Sequence, residues 1–499
     1  MSTNLPLLPV LIPLISGILL LFFRKNVLAQ RLFSFISCTL MIVLSVFLLV
    51  QVRTEGILIF CAGGWSPPFG IVFVADLFSV ILLCLSSLLF FTGLLFSFET
   101  IGVEREKHDF YVLWQFLMMG IHGIFLTGDL FNLFVFFEIM LLSSYALLVH
   151  GASKAQLRET FKYLLINIVS STVFLIALGV LYAMLGTMNM ADAAQKASMV
   201  ENQGYFTVVA MLLITVFGIK AAMFPLYFWL PKVHTVATAS VSSIFSGLVI
   251  KVGAYAMIRT FTLIFIGDTA HTHLILTVLA ILSIFLGVFG AVSQMNYKSI
   301  LAYHSISQIG YVILGLGLFS VSSISASIYF IFHHGVVKGC LFLTAGITEK
   351  ITGTRDLKKM GGLLATHPAL GWTFFIVAMS LSGVPPLSGF FAKYMIALSA
   401  ANQQNYWALT CAIGAGVFTL FSMIKLFLYV FWGRAPREYV PAAGFQYKNA
   451  LIPCFLLAGI SLLLGIFAQP ILSLCTEASE QLMTPQTYID AVLNTIGGR

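Results

Sequence analysis

Five lysines stand inside apolar stretches of the chain: Lys220, Lys251, Lys338, Lys393 and Lys425. Glu138 does the same, and no other acidic residue lies deep within such a stretch. Three histidines, His304, His333 and His334, keep them company, and His234 follows a proline-interrupted segment. The residue types carry information. Arginine stays charged, whereas lysine can shed its proton when stripped of water, and the arginines fall in loops or at the edges of apolar blocks. Lysines, histidines and a carboxylate in an apolar setting suit proton transfer better than fixed charge pairing. Their spacing repeats: Lys251 follows Lys220 by 31 residues, and Lys425 follows Lys393 by 32. Beside Lys220, Pro225 and Pro231 interrupt the stretch GIKAAMFPLYFWLPKVHTVATASVSSIFSGLVIK; beside Lys393, Pro385 and Pro386 interrupt SGVPPLSGFFAK.

The elements that position these groups are membrane spans. Of the 499 residues 60% are hydrophobic and 9% charged, against roughly 25% charged in soluble domains. A span needs about 20 apolar residues. Fourteen candidates, numbered in order, lie near 4–23, 30–50, 71–97, 110–128, 130–149, 161–186, 205–230, 238–262, 273–293, 298–319, 323–348, 369–400, 405–433 and 449–475. The fold expected is an all-α polytopic membrane protein with no separate soluble domain. Span 1 has no basic residue before it and Arg24 and Lys25 after it, which reads as a retained helix.

With the N-terminus outside, the inside loops gather most of the loop lysines and arginines. Arg24, Lys25 and Arg31 are there, as are Arg105 and Lys107, Lys154, Arg158 and Lys162, then Lys232, Lys298, Lys350, Arg355, Lys358 and Lys359, and Arg434, Arg437 and Lys448. The outside loops and tail hold Arg53, Lys196, Arg259 and Arg499. The positive-inside rule therefore places both termini outside a cell membrane, and the net charge of +8 reflects topology rather than nucleic-acid binding. The seven cysteines stand singly, without disulfide or metal spacing. The chain has no dinucleotide fingerprint, cluster site or haem motif, so no cofactor or metal is expected.

Along the chain each group has a competing plain reading. Glu138 lies about eight residues, roughly 12 Å, into span 5, where an unpaired charge costs about 2.5–3.5 kcal/mol; it is a path residue or a paired structural one. Pro225 frees carbonyls beside Lys220, which implies a small hydrated pocket or a kink used for packing. Trp229 reads as an interface aromatic, and His234 as a proton entry group or a solvated loop histidine. Lys251 sits at mid-depth in span 8, after a half rich in serine and threonine. His304 is near Ser305, Ser307 and Gln308. His334 and Lys338, four apart, share a helix face and form the expected path segment, while His333 faces away. Lys425 lies toward the inner end, as an accessory group or a snorkelling one. Asp76, opening span 3, is expected to be a solvated helix-start residue.

Spans 4–8 and 9–13 thus form two five-helix units with corresponding broken helices, 7 and 12. An odd number of helices makes the repeat inverted, a design used by secondary transporters. The organisation expected is N-terminal helices 1–3 over 1–109, repeats over 110–262 and 263–433, and a last helix with its tail over 434–499.

PLYFWLPKVHTVATASVSSIFSGLVIK with Lys220 before it, Glu138 in span 5, Lys251 in span 8 and Lys393 in broken span 12 resemble a known family. It comprises the antiporter-like subunits of respiratory complex I (N-, M- and L-type) and of Mrp multisubunit cation/proton antiporters. GDLFNLFVFFEIM makes the D-type Mrp subunit the best match. The M-type subunit carries a glutamate where this chain has Lys393. The chain ends after span 14, without the lateral helix of the L-type subunit or the extra spans of the Mrp A subunit. Where the family often has alanine–proline after the histidine, this chain has Val236, Ala237 and Thr238. The resemblance implies a proton-translocating subunit of a Na+/H+ antiporter, a transporter and not an enzyme, with other membrane subunits, H+, Na+ and lipid as partners. The implied axis runs through Glu138, Lys220, Lys251, His334 or Lys338, and Lys393. The alternative is a proton-pumping subunit of complex I, an NADH:quinone oxidoreductase, or of a membrane-bound hydrogenase, with the redox groups on partner subunits.

Overall fold

The computed structural model describes residues 4–200, 203–435, 439 and 445–494; Arg437 and Arg499, used above for topology, lie outside them. Helix occupies each of the fourteen expected blocks. Among the described residues twelve helices or helix runs are long and apolar enough to cross a membrane, and the shorter apolar helices Phe110–Leu126 and Pro368–Ser382 fill the places of spans 4 and 12. Polar residues set the ends where the chain re-enters the apolar layer. The Asp129 carboxylate accepts from the Asn132 amide at the start of Leu130–Val149, and Ser153 and Ser320 form capping boxes opening Lys154–Leu185 and Val321–Thr352. Such caps meet amide donors that the first helical turn leaves free.

Burial sorts the helices. The apolar windows of Ala239–Leu263, Val321–Thr352 and Tyr297–Leu318 are 100%, 94% and 89% buried, against 33% for Leu5–Phe22 and Lys154–Leu185. Spans 8, 10 and 11, which carry Lys251, His304, His333, His334 and Lys338, are thus the centre of the bundle. Span 8 packs so closely on the end of span 7 that a Cβ on Gly253 would stand 2.5 Å from the Ala221 nitrogen and 2.7 Å from the Phe217 carbonyl. Glycine there lets the helix of Lys251 cross beside that of Lys220.

Two helices are interrupted where expected. Gln203–Ala221 stops, and Leu230–Val236 begins after an irregular stretch with Ala222 at φ 55°. Pro225 lies in that break, whereas Pro231 stands in the first turn of the second piece, where a missing amide hydrogen is tolerated. Pro231 therefore opens a helix rather than breaking one. In span 12, Pro368–Ser382 ends on Gly383 at φ 90°, and Ser388–Asn402 resumes after Pro385 and Pro386. Both breaks contain a cis bond, Phe224–Pro225 and Pro385–Pro386.

Three features depart from the sequence reading. The start of expected span 3 is not helical: Leu58–Cys61 pairs antiparallel with Val72–Ala75, and the helix begins at Leu77. Alternating β-branched and aromatic residues in FGIVFVA favour a ribbon edge over a helical turn. The last span, Tyr447–Ile466, is shorter than expected, and the amphipathic helices Ala468–Met483 and Pro485–Leu493 follow it. Asp76 is not solvated. It is 1% exposed, caps Leu77–Thr100, and pairs with Arg259 at 2.6 Å, whose guanidinium lies 5.3–5.6 Å from the rings of Phe78, Tyr255 and Tyr488.

Burial alone would raise the Asp76 carboxyl, but the charge and hydrogen bond of Arg259, with bonds from Ser79, hold it below the usual carboxylate range. With a depressed folded value, the pair stabilises the protein at neutral pH, and the contribution is lost only as pH falls below the ordinary carboxylate range. Arg259→Leu strands a buried carboxylate and should cost about 3–5 kcal/mol, read as a lower thermal midpoint for the solubilised protein. The double variant Arg259→Leu/Asp76→Asn should recover much of that loss.

Candidate functional site

The helix Gln203–Ala221 ends one residue after Lys220, so its last carbonyls lack the usual helical partners. The break supplies others. The Met223 amide donates to the Gly218 carbonyl at 2.9 Å, and the Trp229 indole donates to the Ile219 carbonyl at 3.1 Å. Trp229 is buried, not an interface aromatic. The segment is further tied to span 9 by the Phe224 amide, which donates to Ser283 Oγ at 2.8 Å.

Lys220 is 3% exposed. Its ammonium donates to Asn167 Oδ1 at 3.0 Å and lies 5.9 Å from the Phe137 ring centre. Glu138, partly exposed on span 5, accepts a hydrogen bond from Ser171 Oγ. Among the described residues the two charges do not form a direct ion pair, although Lys220 lies within electrostatic reach of Glu138. Span 6 stands between them. Asn167 and Ser171 are four apart and share a helix face, so one turn of Lys154–Leu185 holds the lysine with an amide and the carboxylate with a hydroxyl. Asn167 is itself oriented by its amide, which donates to the Tyr163 carbonyl at 2.8 Å. Sequence reasoning missed both residues. Their signal was an amide one turn before a run of hydroxyls, Ser170 to Thr172, in a largely apolar span.

Lys251 follows a π-helical turn, Phe245–Val249, a distortion that often marks functional sites. Its ammonium donates to the Ser246 carbonyl within that turn. Ser246 Oγ lies 2.7 Å from Ser305 Oγ on span 10, and Ser243 donates to the Gly339 carbonyl on span 11 at 3.2 Å. The serine-rich half of span 8 therefore stitches the central helices together.

Spans 10 and 11 carry the next groups. Lys338 donates to the Leu301 carbonyl at 2.5 Å. His304 Nε2 meets Ser422 Oγ at 2.9 Å. His333, expected to face away, reaches Ser388 Oγ at 2.8 Å, just past the break in span 12. Ser388, Ser380 and Ser461 form a triangle of hydroxyls 3.0–3.2 Å apart, which brings in span 14. Lys393 donates to the Ser382 carbonyl at 3.0 Å and lies 5.4 Å from the Tyr311 ring centre. Both ring nitrogens of His334, both amide atoms of Gln308, His304 Nδ1 and His333 Nε2 are buried without a protein partner. Groups of this kind are normally met by internal water. His334 lies within electrostatic reach of Lys251, Lys338 and Lys393, so the structure gathers these four.

Two accessory candidates fall elsewhere. Lys425 donates to the Val292 and Gln294 carbonyls, each at 2.8 Å, and so caps the end of Thr269–Ser293 as a helix-terminal cation does. His234 is fully buried and stacks on Phe342 at 4.6 Å, which overturns the solvated-loop reading. Among the described residues no cluster of histidine, cysteine, aspartate and glutamate could hold a metal ion.

The family model described as NADH:quinone oxidoreductase/Mrp antiporter, TM, matches residues 127–419. The chain is 47% identical to the D-type Na(+)/H(+) antiporter subunit of Alkalihalophilus pseudofirmus, over 98% of this chain and 99% of that one. It superposes with a TM-score of 0.91 on a chain of the Mrp complex from Dietzia sp. DQ12-45-1b, 30% identical, covering 98% of this chain and 99% of that one. It also superposes, again at 0.91, on a chain of the membrane-bound sulfane sulfur reductase, an archaeal respiratory membrane complex. That chain is 27% identical, with coverage of 98% and 100%.

Asn167 provides the one hydrogen bond among the described residues to the Lys220 ammonium. Asn167→Leu should therefore destabilise the solubilised protein by about 1–3 kcal/mol, the cost of a buried donor left unmet. Asn167→Leu/Lys220→Met should restore most of the loss in the same thermal measurement.

Proposed function

The chain belongs to the NADH:quinone oxidoreductase/Mrp antiporter transmembrane family, and we propose that it is the proton-translocating D-type subunit of a multisubunit Na+/H+ antiporter in the cell membrane. The observation that carries this reading is the run of ionisable groups at depth, from the buried Lys220, Lys251, His334 and Lys338 to the half-buried Lys393, together with full-length similarity to an antiporter subunit at 47% identity. It works beside other membrane subunits, with both termini outside and lipid around the bundle. We read residues 110–262 and 263–433 as two inverted units, each contributing a broken helix to the axis. The relative at 47% identity is an antiporter subunit, and this chain is likewise read as a transporter subunit and not an enzyme.

In the proposed cycle an ionised Glu138 favours the protonated form of Lys220 through the turn of span 6 that holds both. When that hold loosens, the proton passes to Lys251 and then through the histidine region to Lys393. The unpartnered nitrogens of His334 and His304 and the Gln308 amide offer places for the water such a relay needs. Each proton position biases its neighbours by charge, which is the coupling that antiport requires. Sodium needs several oxygen ligands, and Glu138 has one hydroxyl as its hydrogen-bonding neighbour. The cation is therefore assigned to a partner subunit.

The redox alternative shares this fold, since a respiratory-complex chain superposes equally well. The closer sequence similarity favours the antiporter. Flavin or iron–sulfur absorbance in the purified native complex would favour the redox reading.

Glu138→Ala and Lys220→Ala should each reduce Na+-driven proton movement in everted vesicles at least tenfold while the complex still assembles. Wild-type exchange in either variant would contradict the assignment.

A further inference from the structure

A cavity of about 460 Å3 opens at the end of the bundle where all its charged walls come from segments assigned above to the inner side. Its lining includes Arg105, Lys298, Lys350 and Arg355, and one carboxylate, Glu349. Part of its wall is the turn through Ala237 and Thr238, between Leu230–Val236 and the helix run Ala239–Leu263.

That turn is pinned. Lys298, 2% exposed, donates to the Ala237 carbonyl at 2.9 Å, and Arg355 donates to the Thr235 carbonyl. Both cations are held by Glu349: Lys298 at 3.0 Å and Arg355 at 2.5 Å. A single carboxylate thus keeps two cations on the last carbonyls of a two-turn helix. Within that helix sits His234, buried, with neither ring nitrogen partnered; Thr238 Oγ1 and Ser240 Oγ are likewise unpartnered. His234 lies within electrostatic reach of Lys298 on the cavity side and of Lys338 and Lys251 on the axis side. Thr238 lines the cavity, so unmet polar atoms run from its wall toward the lysines, and the turn at their cavity end is the one that Lys298 and Arg355 pin.

We propose that this cavity is the inner-face proton entrance and that Glu349 is the residue that admits protons to it. A proton from cavity water adds to a Glu349 oxygen. The neutral carboxyl no longer holds Lys298 and Arg355 over the turn, residues 235–238 shift, and the proton passes to a His234 ring nitrogen. Glu349, ionised again, re-forms its two ion pairs and closes the turn. Four cations against one carboxylate repel a hydrated sodium ion, while a proton travels along hydrogen bonds. The charged groups facing Glu349 are Lys298 from span 10, Arg355 and Lys350 at the end of span 11, and Arg105 from the loop before span 4. This inference rests on the proton-path reading and its orientation.

The test uses the full complex in oriented vesicles, with Thr238→Cys in a background lacking the seven native cysteines and a bulky, membrane-impermeant thiol reagent. The thiol should react from the inner face, and Glu349→Gln should speed that reaction at least tenfold while cutting antiport at least tenfold. Labelling only from the outer face, or an unchanged rate with Glu349→Gln, would overturn the proposal. Should Glu349→Gln fail to assemble, the Thr238→Cys complex decides alone: complete inner-face modification must cut its antiport at least tenfold relative to the unmodified variant, and retained antiport would overturn the entrance. Lys220→Ala separates this from the underlying reading. It should lose antiport yet leave Thr238→Cys labelling unchanged; retained antiport there would sink the proton path, while an altered labelling rate would sink the independent entrance.

Discussion

A charge inside a bilayer must be met by protein or water, and the centre of this bundle is arranged around that constraint. Lys220 is met by an amide of span 6, Lys251 by a carbonyl of its own π-turn, Lys338 by a carbonyl of span 10, and Lys393 by a carbonyl released at the break in span 12. None of these lysines is locked to a carboxylate among the described residues. A lysine fixed in a buried ion pair would be expensive to discharge. One held by neutral groups can change its proton without stranding a counter-charge. The break in span 12 follows the same logic, because interrupting that helix leaves the Ser382 carbonyl free at the depth where the Lys393 ammonium needs it.

The carboxylate is kept apart. Glu138 acts on Lys220 through a turn of span 6, with Ser171 on one side and Asn167 on the other. Its influence is therefore long-range and adjustable: a small shift of span 6 changes both contacts together. Where Leu77–Thr100 begins, the opposite solution appears. Asp76 and Arg259 are paired directly at 2.6 Å and covered by aromatic rings, which suits a fixed structural tie. The chain thus contains both a direct ion pair and an indirect one, and the difference matches the roles assigned to them.

Much of this was legible in the sequence because a membrane narrows the choices. Apolar blocks of spanning length, prolines within two of them, and ionisable residues at depth needed no contact information to find. What escaped was whatever depends on how helices face one another. The π-turn before Lys251 leaves no mark in composition; it lies where Gly247 closes on Leu89 and neighbouring serines reach spans 10 and 11. Asn167 and Ser171 are ordinary until span 6 is seen to lie between two charges. Ser461 belongs to a span outside both expected repeats, yet closes a hydroxyl triangle at the second break. Trp229 and Asp76 were misjudged in one direction: each was given to solvent or to the interface because it lies near a loop, and each is buried by segments distant in sequence, as is His234, for which a solvated loop was one of two readings. The ribbon before span 3 escaped for another reason, since four apolar residues cannot reveal whether a strand partner awaits them.

The central claim is that Lys220 changes protonation state during the cycle, under the control of Glu138. Nitrogen-15 magnetic resonance of the Lys220 side chain in the assembled complex tests it most directly, with the signal assigned by loss in a Lys220 variant. The account predicts that ammonium and neutral amine are both populated across the working pH range, and that replacing Glu138 shifts their ratio. A Lys220 signal that stays in one charge state throughout, with or without Glu138, would contradict it.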